Sequence, residues 1–198
     1  MTRFVLATAN PAKAREINEV LQSERGSFEV VPLDPTWPAV VETGSTLEAN
    51  ARLKADAAVA HSQLPALADD TGLEVDALGG APGVRSARFA GDNATDQENV
   101  TRLLDRMTDI SPEKRTARFT TVAMAAWPDG KTVVVAGSVE GVIATHSVGT
   151  EGFGYDPVFI PAEGDGRTFA QMTAAEKHQL SHRGRAFRLL AKKLEQTV

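Results

Sequence analysis

Phe4-Val5-Leu6-Ala7 is an uninterrupted apolar run, and its length reads as a first buried strand. Asn10 followed by Pro11 is the preferred pairing for a helix start. Ala14, Ile17, Val20 and Leu21 then recur at helical spacing, with Gly26 as the stop. Phe28 to Leu33 predicts a second strand, and Asp34-Pro35-Thr36-Trp37-Pro38 a loop. Ser45-Thr46-Leu47-Glu48 has the pattern of a capping box opening an Ala-rich helix to about His61. Ala66 to Asp69 and Leu73 to Val75 read as strands on either side of an acidic turn, and Gly79-Gly80-Ala81-Pro82-Gly83 as loop.

The second half is patterned as clearly. Thr95-Asp96-Gln97-Glu98 is another capping box, ahead of a helix that turns Leu103, Leu104 and Met107 inward. Arg118 to Trp127 and Lys131 to Val142 flank Pro128-Asp129-Gly130, which predicts a β-hairpin. A Gly-rich segment, Gly149 to Gly154, leads through Tyr155-Asp156-Pro157 to a short strand, Val158-Phe159-Ile160. Thr173-Ala174-Ala175-Glu176 is a third capping box, and Ser181 caps a last helix with Phe187, Leu190 and Leu194 along one side. Alternating helices and strands followed by a hairpin predict an α/β fold with a mixed sheet, free of internal repeats.

Length and composition narrow the class. At 198 residues, 42% apolar and 24% charged, the chain suits one globular domain with a sizeable core. A net charge of −5 argues against coating nucleic acid, which needs a basic surface. The stretch from Glu163 onward is nevertheless net +3, which suits a small anionic ligand better than a polymer. With no cysteine, disulfides, thiolate catalysis and Cys-ligated metal centres are excluded. The apolar stretch before Asn10-Pro11 is too short for a signal peptide and no run is long enough for a membrane span, so the cytoplasm is the expected location.

Four groupings could carry chemistry. Asp69 and Asp70 follow the apolar run Leu64 to Ala68 and precede Thr71-Gly72, so the pair is expected where a strand hands over to a loop. Two carboxylates there are costly without partners, and a hard divalent cation such as Mg²⁺ would satisfy them. Taken alone, an Asp pair before Gly more readily opens a turn. Glu42, ahead of the helix carrying Asn50 and Lys54, could complete a two-carboxylate site or lie on a solvated surface. Thr8-Ala9-Asn10-Pro11-Ala12-Lys13 sets free helix N–H groups beside a Lys, as a phosphate cradle or simply a well-capped helix. Gly152-Phe153-Gly154-Tyr155-Asp156-Pro157 brackets a ring with glycines, offering a stacking face or a buried connection. Lys177 with Ser181-His182-Arg183-Gly184-Arg185 places cations at a helix start, where they need an acceptor such as a nucleobase carbonyl or phosphate.

In order and spacing, these motifs resemble the inosine triphosphate pyrophosphatase family from Thr8 to about Leu190. They are Thr-x-Asn-x-x-Lys, Glu-Thr-Gly before an Asn-Ala helix, Ala-Asp-Asp-Thr-Gly-Leu-x-Val, Gly-Gly-Ala-Pro-Gly-Val-x-Ser-Ala-Arg, Gly-Phe-Gly-Tyr-Asp-Pro and Ser-His-Arg-Gly. Thr71 stands where that family often has Ser, which keeps the hydroxyl. The resemblance implies an elongated mixed sheet flanked by helices, two lobes of a single domain with a central cleft, and a homodimer. It implies hydrolysis of nonstandard purine nucleoside triphosphates (ITP, dITP, XTP) to the monophosphate and pyrophosphate. Thr8 to Lys13 and Lys54 would hold the triphosphate, Glu42 and Asp70 would bind Mg²⁺, and Asp70, with Asp69 beside it, would activate water. Thr71, Phe153, Gly154, Tyr155, Asp156, Lys177, His182 and Arg183 would contact substrate, with Phe153 as the stacking surface. A related enzyme with another base preference and a silent nucleotide-binding protein are the competing readings.

Overall fold

The computed structural model describes residues 2–24, 28–32, 34, 36–37 and 40–196. Local signals were accurate where one residue and its near neighbours decide the outcome. Strand β1 (Thr2–Leu6) leads into helix α1 (Pro11–Ser23), whose N-cap Asn10 accepts N–H bonds from Ala12 and Lys13. Strand β2 (Phe28–Val31) is followed by helix α2 (Leu47–Ser62). Helices α3 (Asp96–Arg106) and α4 (Ala174–Leu180) both open with complete capping boxes, at Thr95/Glu98 and Thr173/Glu176. Helix α5 (His182–Glu195) starts directly after Ser181. Gly26, Leu33, Pro35 and Pro38 lie outside the described residues.

Three expectations need correction. The acidic turn does not exist: Ala66–Val75 is one continuous strand, β3, running straight through Asp69-Asp70-Thr71-Gly72. Charges inside a strand are sustainable because cations from three helices meet them, as described below. Second, Pro82–Gly83 is not loop but a two-residue strand, β4, antiparallel to β3 with Leu73 opposite Gly83. Third, α2 is capped by Thr46 rather than Ser45, its side chain accepting Ala49 N–H at 3.1 Å. That one-residue shift leaves Glu48 in the first turn facing Arg52, so no capping box forms.

The remaining strands are β5 (Thr116–Ala126), β6 (Thr132–Ile143) and β7 (Phe159–Pro161). Among the described residues they make a mixed sheet in the order β2-β1-β3-β5-β6-β7, with β4 beside β3. Strand β1 runs parallel to both β2 and β3, with Phe4 opposite Val30 and Val5 opposite Ala66, while β6 and β7 are antiparallel. The α/β mixed-sheet expectation is met.

The chain divides into two units. Unit 1 comprises Met1–Asp70, Thr121–Gly137 and Arg183–Val198, and unit 2 comprises Thr71–Thr120 and Ser138–His182. In unit 1, alternation along the strands separates two cores. Phe4, Leu6 and Leu67 pack with α1 and α5, where Ile17, Phe187 and Leu190 are fully buried. Ala7, Ala66 and Ala68 pack instead against Ala51, Ala55 and Ala58, the small face of α2. Unit 2 has an aromatic core in which Phe119, Phe159 and Phe169 lie within 6.4 Å of one another by ring centroid. Its buried Arg115 is satisfied by the carbonyls of Met107, Ile110 and Ala144.

Candidate active site

Asp69 and Asp70 are neighbours on one strand, so their side chains leave opposite faces of the sheet. Asp69 shares a face with Leu67 and meets the side of α1 and α5. Its Oδ2 lies 3.3 Å from Lys13 Nζ and 3.5 Å from Arg183 Nε, and Arg183 Nη1 in turn donates to Glu16. Asp70 shares a face with Ala68 and meets α2. Its Oδ1 accepts Lys54 Nζ at 3.1 Å and its Oδ2 accepts the Asn50 amide at 3.1 Å. Lys54 Nζ also donates to Glu42 at 2.9 Å, so two carboxylates converge on one ammonium. Asn50 and Lys54 are four residues apart and share a helix face, which is why both reach the same carboxylate.

Asn50 ties this group to the loop before α2. Its Oδ1 accepts the Gly44 N–H at 2.8 Å while its amide donates to Asp70, so neither end is spare. A Cβ at Gly44 would come within 2.6 Å of that oxygen, which explains the glycine.

Burial pushes the Asp70 carboxyl above its ordinary range, Lys54 and Lys13 pull it back, and the like charge of Glu42 adds to the rise. Burial lowers Lys54, but Asp69, Asp70 and Glu42 outweigh it and leave the ammonium raised. Lys13 ends lowered, by burial and by its neighbours Arg183 and Lys54, against the pull of Asp69. Unit 1 thus holds a charged cluster in which the Asp70 carboxyl is raised by burial.

The first motif behaves as a capped helix start in its backbone. Asn10 Oδ1 takes the N–H groups of Ala12 and Lys13 at 2.9 and 3.1 Å, and Thr8 Oγ1 takes that of Asn10 at 3.2 Å. An incoming anion would compete with Asn10 for those donors. Ala9, Asn10 and Pro11 are exposed, and Lys13 supplies the positive charge.

Unit 2 gathers a different set. Lys177 Nζ, on α4, donates to Asp156 Oδ2 at 2.5 Å, and both residues are buried. The same ammonium sits 4.8 Å from the Phe153 ring centroid and 5.8 Å from that of Phe169. Asp156 Oδ2 also accepts the Phe153 N–H at 2.8 Å, and Gly154 N–H donates to Asp96 at 2.8 Å. Tyr155 OH donates to the Ser86 carbonyl at 2.9 Å, and burial raises the phenol strongly. His182 stacks on Phe119 with 4.4 Å between centroids and 17° between planes. Thr71 is half-buried on β3 immediately after Asp70.

Unit 1 therefore brings together Lys13, Glu42, Lys54, Asp69, Asp70 and Arg183, while unit 2 brings together Phe153, Gly154, Tyr155, Asp156 and Lys177. Arg183 finds its acceptors in Glu16 and Asp69, carboxylates of the chain itself. Glu16, Asp96, Ser86, Phe119 and Phe169 were not singled out by sequence. Glu16 carried a signal in its place one turn after Lys13 on the same helix face, and Ser86 in its place within the Gly-Gly-Ala-Pro-Gly-Val-x-Ser-Ala-Arg motif.

The chain belongs to the Ham1 family, which it matches over residues 4–193. It is 49% identical to the dITP/XTP pyrophosphatase of Symbiobacterium thermophilum, over 93% of this chain and 90% of that protein. It is 47% identical to the dITP/XTP pyrophosphatase of Streptomyces coelicolor, over 96% of each. Among solved structures it is similar to a HAM1 protein from Coxiella burnetii, with a TM-score of 0.88 and 38% identity over 99% of this chain and 100% of that one. It is also similar to the Staphylococcus aureus Ham1 protein, with a TM-score of 0.85 and 38% identity over the full length of both. No helix among the described residues is long and apolar enough to cross a membrane.

Proposed function

We propose that this chain hydrolyses nonstandard purine nucleoside triphosphates (ITP, dITP and XTP) between the α and β phosphates, releasing the monophosphate and pyrophosphate. The observation that carries the reading is the unit 1 cluster, in which Glu42 and Asp70 converge on one cation and Asp70 is raised by burial. Relatives at 47–49% identity bear the name dITP/XTP pyrophosphatase, which is the chemistry such a cluster suits.

The residues fit a divalent cation. Among the described residues no three His, Cys, Asp or Glu side chains form a ligand group. Two hard oxygen donors, Glu42 and Asp70, nevertheless already face a shared positive charge at Lys54. A carboxylate pair of this kind, completed by water and phosphate oxygens, is the usual protein share of a Mg²⁺ site. Bound Mg²⁺ would neutralise triphosphate charge and acidify a water.

The chain's own part is positioning and proton transfer. Lys13 and Lys54 hold phosphate oxygens, with Thr8 to Ala12 lining the approach. Asp70 accepts a proton from water as its oxygen bonds to a phosphorus of the α–β anhydride, and the bridging P–O bond breaks. Asp69 holds Lys13 and Arg183 in place. In unit 2, Phe153 offers a stacking ring and Lys177 a donor for the 6-oxo group of hypoxanthine or xanthine, with Thr71, Gly154, Tyr155, Asp156 and His182, and Arg183 of unit 1, as further substrate contacts. Adenine presents an amino group there and would leave a buried donor unpaired, a costly mismatch. The resemblance further implies a homodimeric, cytoplasmic enzyme; sedimentation equilibrium checks the oligomer.

Product analysis after incubation with dITP and Mg²⁺ tests the proposal. Pyrophosphate with monophosphate is expected, and heavy-oxygen water should label one of them. Orthophosphate as the product, a pyrimidine preference, or binding without turnover would each replace this reading.

A further inference from the structure

The loop 149–155 is fastened within unit 2 at the Ala170 carbonyl, which accepts the Thr150 and Glu151 N–H groups, and at three further points around Phe153. Phe153 N–H donates to Asp156, Gly154 N–H donates to Asp96, and Tyr155 OH donates to the Ser86 carbonyl. These fastenings are unequal. Asp156 is 3% exposed and Tyr155 5%, so water cannot compete for their bonds, whereas Asp96 is exposed. Asp156 is three residues from Phe153 and belongs to the same turn, while Asp96 comes from 58 residues away. The Asp96 contact is thus the one that ties the loop to α3, and the one solvent can loosen.

Geometry gives that contact leverage over Phe153. A peptide unit is planar, so holding its N–H restrains the orientation of the whole plane. The N–H of Phe153 belongs to the plane before its Cα, and the N–H of Gly154 to the plane after it. Holding both narrows φ and ψ at Phe153 and therefore the direction of the Cα–Cβ bond that carries its ring. The flanking glycines serve different ends. A Cβ at Gly152 would run into the Asp156 carboxylate, while one at Gly154 would meet nothing within 4 Å. Open space at Gly154 is where a ligand can come close to backbone.

Helix α3 does not consume the Asp96 side chain. Thr95 and Glu98 close the capping box of that helix between themselves, leaving the Asp96 carboxylate directed at the loop.

We propose that Asp96 is a positioning residue for nucleobase recognition: by accepting the Gly154 N–H it sets the Phe153 ring in the orientation that stacks on a 6-oxopurine. This rests on the proposed function and deepens it. Losing a charge-assisted bond of this kind corresponds to roughly a tenfold change in apparent affinity. Asp96→Ala should therefore raise KM for dITP by about tenfold while kcat stays within about twofold, because the unit 1 cluster is untouched. Preference for dITP over dATP should shrink, and the Gly154 amide should exchange faster with solvent. Asp96→Asn keeps an acceptor oxygen and should stay near the parent in all four readouts. Should the Ala variant fail to fold, Asp96→Ser, too short to reach, repeats the test. An unchanged KM in Asp96→Ala, a loss confined to kcat, or an Asn variant as impaired as Ala would each overturn the assignment while dITP turnover by the parent leaves the enzymatic reading intact. A parent that releases no pyrophosphate from dITP, ITP or XTP overturns both.

Discussion

Each unit buries an ion pair, and the surroundings make the two pairs chemically different. In unit 1, Asp69, Asp70, Glu16 and Glu42 share Lys13, Lys54 and Arg183, with Asp69, Lys54 and Arg183 each bridging two partners. One more carboxylate than cation leaves room for a further positive charge. In unit 2, Asp156 and Lys177 pair in aromatic surroundings, beside Phe153 and Phe169. A shared cluster can exchange partners as substrate charge arrives, which suits reaction. An ion pair against rings fixes one donor in one place, which suits recognition.

The comparison breaks most directly at Asp70. Asp70→Asn keeps the shape and removes the proton acceptor, so kcat should fall by about 10²–10⁴-fold while dITP binding persists. Stopped-time pyrophosphate release gives the first quantity and calorimetric titration the second. Turnover near the parent's would move the reaction away from unit 1.

Unit 2 should break in stability before anything else. Lys177→Met leaves the Asp156 carboxylate buried without its cation, which costs about 3–5 kcal/mol. At this chain length that is a fall in Tm of about 10 °C, read by thermal melting. Lys177→Met combined with Asp156→Leu should recover part of the loss. A single variant that melts with the parent would mean that Asp156 is satisfied without Lys177.

These two regions were not equally legible beforehand. Helix starts at Asn10, Thr95 and Thr173 were read correctly because a cap is decided by residues two or three apart. The Asp pair was recognised as chemistry but placed in a turn, because Asp-Asp-Thr-Gly has turn composition. What makes a strand there is remote: Lys13 on α1, Lys54 on α2 and Arg183 on α5, the last 114 residues from Asp69. Glu16 resembles a solvated helix residue until α5 buries it against Arg183, 167 residues away. The cap of α2 was missed by one position because Ser45 and Thr46 are chemically equivalent candidates. No local pattern pairs Asp96 with the loop it fastens.

A finer division comes from Phe153. Phe153→Ala removes the stacking ring and should raise KM for dITP by about tenfold, with kcat little altered. Steady-state kinetics on dITP and dATP would show the change in KM and in their ratio. A loss in kcat alone would give the ring a part in the reaction and blur the separation of roles.

The smallest effect is expected at an ion pair that lies on the surface of the helix carrying Lys177. Arg167 donates to Glu176 at 2.7 Å, and Thr173 donates to the same carboxylate, which together lower its pKa to about 2. A depressed carboxyl stabilises the fold fully above its unfolded pKa, near 4.5, and that contribution is lost as pH falls toward about 2. Arg167→Gln should raise the Glu176 midpoint while leaving it below the ordinary value, since the Thr173 bonds persist. Side-chain carboxyl chemical shifts followed from pH 6 down to about 2 would show it. Both partners are well exposed, so melting at neutral pH should scarcely change, in contrast to Lys177→Met one residue along from Glu176. A large loss of stability in Arg167→Gln would mean that this exposed pair holds α4 in place, and that the fall expected for Lys177→Met could not be assigned to the buried charge alone.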